Sequence, residues 1–152
     1  MRTIELYQSD TKKTAFLWTE SLRTGHDTID RQHQEIYEAL LGVSQLLNLP
    51  EVHVAYWLGL VQRKMEDYLL THFQEEERLM VAVGYPDLEK HRLHHLDFIE
   101  SFQKQKSAVL QLQTDAERLA GANRLLDFLH DWFNVEILSN DKDLAHFIQN
   151  KK

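Results

Sequence analysis

The chain has no cysteine among its 152 residues. Without thiols it cannot form disulfides, iron–sulfur clusters or thiolate zinc sites, so any metal must be bound by nitrogen and oxygen donors. The absence of cysteine also fits a reducing compartment. Residues 1–13 lack the apolar core of a signal peptide. We therefore expect a cytoplasmic protein.

Glycine and proline are scarce, with five and two copies. In addition, β-branched residues nowhere alternate with polar ones over the length of a strand. Both observations indicate an all-α protein. No apolar run approaches the roughly 20 residues of a membrane span, so we expect no membrane partner. Basic residues are also few, 17 against 24 acidic ones, and they form no stripe. Nucleic acid is therefore not expected as a partner.

Apolar residues recur at spacings of three and four in four stretches, which predicts four amphipathic helices. The stretches cover residues 29–47, 53–83 and 88–102, and a last one that begins near Thr114. Gly84 is placed to end the second helix. Short turns between such helices predict an up-down-up-down four-helix bundle. We expect one domain over residues 18–152, preceded by an N-terminal arm over residues 1–17.

Several ionisable side chains occupy positions on the apolar faces of these helices. A lone histidine on such a face usually hydrogen-bonds to a neighbour. Burying many ionisable groups together, however, costs roughly several kcal/mol each unless they are paired or bind a metal. Six donors exceed the four of a tetrahedral zinc site, which favours two metals bridged by carboxylates. The six residues are His33, His72, Glu76, His91, His95 and Glu136.

The remaining ionisable residues near these positions have ordinary interpretations. His94 lies about 100° around the helix from His95, so we expect it at the surface or beside the ligands rather than among them. The aromatic stripe of the third and fourth helices is predicted to be core. Residues predicted to be solvated are Glu75, Glu77, His26, His53, His130 and His146. Residues predicted to form the aromatic stripe are Phe98, Phe102, Phe128 and Trp132.

Several further segments have a recognisable pattern. They are Trp18-Thr19-Glu20 with Gly25, Ile29-Asp30-Arg31-Gln32-His33, His72-Phe73-Gln74-Glu75-Glu76 with Met80, Gly84-Tyr85-Pro86, His91 with His95, and Trp132 with Asp141. Through these segments the sequence resembles, over about residues 16–145, the hemerythrin family, specifically the single-domain bacterial hemerythrins. The resemblance implies a pair of non-haem iron ions joined by an oxygen bridge in a protein that binds dioxygen for storage, delivery or sensing. Manganese is an alternative metal, because imidazole and carboxylate donors also suit it. We expect a monomer.

The resemblance also implies a role for each donor. His33 and His72 would bind the iron that keeps an open position for dioxygen. His91 and His95 would bind the other iron. By the same resemblance, Glu76 and Asp141 would bridge the two ions.

Glu136 is a departure from the family pattern, which has a histidine five residues before the bridging aspartate. We interpret the site as four histidines and three carboxylates. The added negative charge stabilises ferric iron and makes the reversible binding of dioxygen less favourable. An oxidase or peroxidase, or a protein that reacts with peroxide or nitric oxide, is therefore an alternative. There are two further alternatives. The second metal is held weakly or is absent, or the metal only holds the helices together. On an α-helix Asp141 would lie about 140° from Glu136, which predicts that the helix ends or loosens between them.

Overall fold

The computed structural model describes residues 16–50 and 52–150. These residues form a bundle of four helical rods, and no strand occurs among them. The prediction of an all-α bundle is therefore confirmed. The predicted arm lies outside the described residues except for its last two positions. Of these, Phe16 is buried in the bundle core and Leu17 is exposed.

The rods are built from six α-helices and two π-helical segments. The first rod is α1 and the third is α4. The second rod joins α2 to α3 through a first π segment, and the fourth joins α5 to α6 through a second. The bounds are α1 Asp27–Leu46, α2 Val54–Lys64, first π segment Met65–Leu70, α3 Thr71–Val83, α4 Leu88–Leu110, α5 Asp115–Val135, second π segment Glu136–Asp141 and α6 Lys142–Asn150.

The helix ends are fixed by local side chains and by one glycine. Thr114 accepts a hydrogen bond from the Glu117 backbone at 3.1 Å and donates one to the Glu117 carboxylate at 2.9 Å, so Thr114 caps the start of α5. Gly84 ends α3 with φ of 66°, a left-handed conformation that favours glycine. His26 and His53 accept from the backbone three residues ahead and cap α1 and α2. His26 is half-buried, so its predicted solvation is wrong, whereas His53 is exposed as predicted.

Aromatic side chains pack among leucine, isoleucine and valine side chains in the main core. Phe98 and Phe102 are buried there, and the other two members of the predicted aromatic stripe pack against them half-buried. Tyr37 is almost completely buried and donates a hydrogen bond to Asn134 Oδ1 at 2.6 Å. Burial raises the pKa of Tyr37 to about 12. This core fixes the helix faces that also carry the ionisable residues.

The turn before α1 is tied to both α1 and α6. The buried carboxylate of Asp30 accepts from the Thr24 backbone and hydroxyl at 2.8 Å each and from the Gly25 backbone at 3.2 Å. Gly25 has φ of 94°, and Gln149 of α6 donates to its carbonyl at 3.0 Å. These bonds hold the start of the first rod against the end of the fourth. None of the described helices is long and apolar enough to cross a membrane.

Candidate metal centre

All seven residues predicted to bind metal lie together between the four rods. Their donor atoms form two groups, and within each group all the atoms lie within 4.8 Å of one another. Glu76 and Asp141 belong to both groups. The side chains are buried, with at most 4% of any residue exposed. The first group adds His33 and His72, and the second adds His91, His95 and Glu136.

In the first group, two imidazoles face the two shared carboxylates. His33 Nε2 lies 2.6 Å from Asp141 Oδ2, and His72 Nε2 lies 2.5 Å from Glu76 Oε1. The two Nε2 atoms are 3.1 Å apart. Four donors from three rods therefore surround one small volume.

In the second group, His91 Nε2 lies 3.3 Å from Glu76 Oε2 and 3.3 Å from Asp141 Oδ1. Glu136 Oε1 is 3.0 Å from His91 Nε2 and 3.2 Å from His95 Nε2. Each shared carboxylate thus directs one oxygen toward each group. This is the arrangement that two bridging carboxylates need.

The carboxylate oxygens at the centre fit a bound cation. Both oxygens of Glu76 and Oδ1 of Asp141 are buried without a hydrogen bond from any residue in the described ranges, although imidazole nitrogens lie close to them. A buried, ionised oxygen with no hydrogen bond is costly unless it is paired or bound to a metal. Imidazole and carboxylate donors suit iron, manganese and zinc, and seven donors exceed what one tetrahedral zinc ion takes.

In the metal-free centre, His72 and His91 hold an extra proton at neutral pH. Burial lowers the pKa of His91, but close contacts with the carboxylates of Asp141, Glu136 and Glu76 outweigh burial and raise this pKa to about 12. Burial opposes protonation of His72 as well, yet the charge of Glu76 and the contact with Asp141 raise its pKa to about 10.

The carboxylates respond in the opposite direction. Burial and the charge of Asp141 raise the pKa of Glu136, but contacts with neighbouring imidazoles outweigh them and lower it to about 2. In the same way, His33, His72 and other partners hold the pKa of Asp141 well below its usual value despite burial. Glu136 and Asp141 are therefore ionised at neutral pH.

The second π segment places Glu136 and Asp141 at its two ends, and both residues are buried. Its wider turn brings a pair five residues apart onto one side of the rod, where an α-helix would separate the two by about 140°. The predicted loosening is present, and the helix then continues to Asn150. The first π segment comes immediately before the α3 turn that carries His72. It was not predicted, because the second helix was expected to be regular.

Two side chains outside the donor groups orient the donor histidines. Gln32 Oε1 lies 2.6 Å from His72 Nδ1, which fixes the ring so that Nε2 faces the carboxylates. Glu77 Oε1 lies 3.4 Å from His95 Nδ1, and the Glu77 side chain is 29% exposed, so Glu77 is half-buried beside His95 rather than on the predicted solvated face. Sequence reasoning did not identify the role of Gln32. Its only signal was its position beside His33 in a matching segment.

Aromatic rings pack against the histidines of the second group. Phe73 stacks on the ring of His95 at 3.8 Å between centroids and 8° between planes. His94, 31% exposed, stacks on Trp132 at 5.1 Å and 15°. His94 belongs to neither donor group, but its Nε2 lies 2.7 Å from Glu136 Oε2, so of the two predicted places it occupies the one beside the ligands.

The other two histidines differ from each other. His146 is exposed as predicted. His130 is half-buried, accepts a hydrogen bond from Asn134 Nδ2 at 3.0 Å and meets the ring of Phe16 edge-on at 5.6 Å. Its predicted solvation is wrong, because Phe16 packs over this part of α5.

Several known proteins are similar to this chain in sequence. Bacteriohemerythrin of Clostridium acetobutylicum is 28% identical over 131 residues, which cover 84% of this chain and 97% of that protein. Bacteriohemerythrin of Stenotrophomonas maltophilia is 36% identical over 90 residues, 55% of this chain and 53% of that protein. Myohemerythrin of Theromyzon tessulatum is 27% identical over 94 residues, 62% of this chain and 71% of that protein. No solved structure matches the chain significantly.

The family model described as "Hemerythrin HHE cation binding domain" matches residues 24–148. That range contains most of the described bundle and every residue of the two donor groups. A buried cluster of imidazoles and carboxylates between helices is the kind of site that a cation-binding domain requires. The chain therefore belongs to the hemerythrin family.

Proposed function

We propose that this chain binds two non-haem iron ions between its four rods and uses them to bind dioxygen. The observation that carries the proposal is the pair of donor groups that share Glu76 and Asp141, with one oxygen of each carboxylate directed to each group. His33 and His72 would bind the first ion, and the second group would bind the other. Membership of the hemerythrin family supports iron as the metal and dioxygen as the ligand.

The first ion is the better candidate for binding an external ligand. The first group offers four donors and the second offers five, so the ion beside His33 and His72 has fewer protein ligands. The half-buried ring of Trp18 lies 6.5 Å from the ring of His33 and adds an aromatic wall on that side. Dioxygen is small and apolar, and such a dry environment suits it.

The charge of the donor set determines how the site would use iron. Two ferrous ions would supply the electrons that dioxygen needs in order to bind in reduced form. Two ferrous ions carry four positive charges. Three carboxylates face them and contribute three negative charges, from Glu76, Glu136 and Asp141. A histidine in place of Glu136 would leave one more positive charge at the centre. Glu136 therefore favours the ferric state and lowers the reduction potential.

Anaerobic reconstitution of the metal-free protein with ferrous iron tests the proposal. We expect two iron ions per chain by elemental analysis and new visible absorption on exposure to dioxygen, which disappears under vacuum. His33→Ala should lose one ion, while the exposed control His146→Ala should retain both. A chain that retains no iron, or only one ion in the unmodified protein, would overturn the proposal. A metal whose removal unfolds the protein, with no reaction with dioxygen, would indicate a structural role instead.

The second candidate function is an oxidase or peroxidase, or a protein that reacts with peroxide or nitric oxide. The additional carboxylate of Glu136 in the second donor group favours it, because a lower potential makes release of dioxygen harder. Rapid mixing of the reduced, iron-loaded protein with dioxygen separates the candidates. A stable form that releases dioxygen favours binding, whereas immediate irreversible oxidation favours the reactive alternative. Parallel reconstitution with manganese tests which metal the site prefers.

A further inference from the structure

We propose that His94 and Asn140 hold Oε2 of Glu136, which we call its outer oxygen. Glu136 then presents only Oε1, its inner oxygen, to the position where His91 and His95 would bind a metal ion. The proposal rests on the proposed function, because it assumes that Glu136 binds the second ion. It assigns His94 and Asn140 a positioning role.

The two oxygens of Glu136 have separate sets of partners. Oε1 lies 3.0 Å from His91 Nε2 and 3.2 Å from His95 Nε2, inside the second donor group. Oε2 accepts a hydrogen bond from Asn140 Nδ2 at 3.0 Å and lies 2.7 Å from His94 Nε2. The outer oxygen is thus engaged by two nitrogens that belong to neither donor group. Only the inner oxygen faces the position where an ion would bind.

The position of His94 is itself fixed by the fourth rod. The ring of His94 stacks on Trp132. Trp132 lies four residues before Glu136, and Asn140 lies four residues after it. Trp132, Glu136 and Asn140 therefore follow one side of the rod, and His94 reaches across from α4 to contact two of them. The Nε2 atom of His94 is buried, and the structure gives it no hydrogen-bond partner within residues 16–50 and 52–150. Glu136 Oε2 lies 2.7 Å from this nitrogen.

His94 and Asn140 also separate Glu136 from solvent. Both residues line a surface cavity of about 310 Å³ that extends to His91. Glu136 does not line this cavity and is only 1% exposed. If His94 and Asn140 were shortened or made apolar, the outer oxygen would lose its partners and could turn toward the metal. A carboxylate that is free to turn binds with either one or two oxygens.

The arrangement has a chemical consequence for the second ion. A glutamate that binds through one oxygen supplies the same number of donor atoms as one imidazole. Nitrogen donors on the outer oxygen also withdraw electron density from the carboxylate and orient it, as outer partners of metal ligands generally do. His94 and Asn140 would therefore offset part of the extra negative charge that Glu136 brings to the centre.

Infrared difference spectroscopy of the protein, loaded anaerobically with ferrous iron, tests the proposal. Bands of Glu136 are identified by comparison with Glu136→Gln. One-oxygen binding gives a wide separation between the antisymmetric and symmetric carboxylate stretches, and two-oxygen binding narrows it. We expect a wide separation in the unmodified protein and a narrow one in His94→Leu and in Asn140→Leu. His94→Gln retains an N–H donor and should restore the wide separation. His146→Leu is the matched control for loss of an exposed histidine.

Iron affinity provides a second readout. Loss of an outer partner lowers metal affinity by about 10- to 100-fold, and we expect this loss for the second ion in His94→Leu but not in His146→Leu. If His94→Leu and Asn140→Leu both retain the Glu136 bands and the affinity of the unmodified protein, the positioning role is overturned while the proposed function stands. If Glu136→Gln binds two ions with the affinity and spectrum of the unmodified protein, Glu136 is not a ligand, and both the positioning role and the proposed ligand set fail.

Discussion

Loading the metal-free protein with metal should release about two protons per chain at neutral pH. The pKa values of His91 and His72 are raised to about 12 and about 10, so both rings are imidazolium ions at pH 7. In each ring Nε2 faces the shared carboxylates and is the atom that would bind metal. Gln32 accepts from His72 Nδ1, so this ring keeps its other proton and gives up the one on Nε2. Because their pKa values are lowered, Glu136 and Asp141 are already ionised and release none.

The size and sign of the pH dependence follow from these two protons. A bound metal requires neutral imidazole, so raising the pH removes a competitor and strengthens binding. With two protons displaced, the product of the two metal association constants should rise about 100-fold per pH unit, or about 2.7 kcal/mol. The dependence should persist from pH 6 to pH 9, below both raised pKa values. Above about pH 10, His72 is neutral in the metal-free protein and the slope should halve.

Titration calorimetry with manganese, which avoids oxidation, measures the number of protons directly. Repeating the titration in buffers of different ionisation enthalpy gives the protons released per metal. His146→Leu, which removes an exposed histidine, should leave the number unchanged. Release of less than one proton per chain at pH 7, or an affinity that does not change between pH 6 and pH 8, would refute the reasoning. Either result would mean that the imidazoles are neutral before metal binds.

Three further substitutions test separate parts of the structure. Glu136→His removes one negative charge from the second donor group and should slow oxidation of the iron-loaded, reduced protein by air, measured by rapid mixing; an unchanged rate would argue against Glu136 as a ligand. Gln32→Leu removes the partner of His72 Nδ1 and should weaken binding of the first ion by about 10- to 100-fold, measured by chelator competition. The control Gln45→Leu, at an exposed position of α1, should leave the affinity unchanged. Equal affinities in the two variants would contradict the orienting role of Gln32. Asp30→Asn removes a charged acceptor of three hydrogen bonds and should cost about 1–3 kcal/mol of unfolding free energy in urea; a stability within 0.5 kcal/mol of the unmodified protein would show that the turn before α1 contributes little.

The positions of the donor residues were predictable because helical periodicity determines which side chains face the bundle interior. His72 and Glu76 are four residues apart, as are His91 and His95, so each pair had to share a helix face. Burial of ionisable residues on apolar faces then indicated a metal. The assignment of Asp141 came only through the family resemblance, because five residues from Glu136 is the wrong spacing for an α-helix.

The partners around the donors were not predictable from spacing. Glu77 follows Glu76 directly, and helical geometry alone placed it toward solvent, yet α4 packs so closely that its carboxylate reaches His95 Nδ1. Gln32 precedes His33 on α1 but serves His72 on the second rod. Such contacts depend on the distance and rotation between rods, and these are set by core packing rather than by local sequence. For the same reason the spacing located His94 beside the ligands or at the surface without deciding between them.

The second π segment explains how the fourth rod brings two carboxylates to the centre. Widened turns are uncommon in helices and are concentrated at functional sites. The second segment begins at Glu136 and ends at Asp141, both buried, while Leu138 between them remains 48% exposed. The wider turn therefore directs both charged residues inward, although Leu138 between them points to solvent. A regular α-helix through the same residues would rotate one carboxylate away from the imidazoles and leave it buried without a partner, or expose it. The π geometry and the paired carboxylates are thus one feature of the fourth rod, and the same segment also supplies Asn140 to the outer oxygen of Glu136.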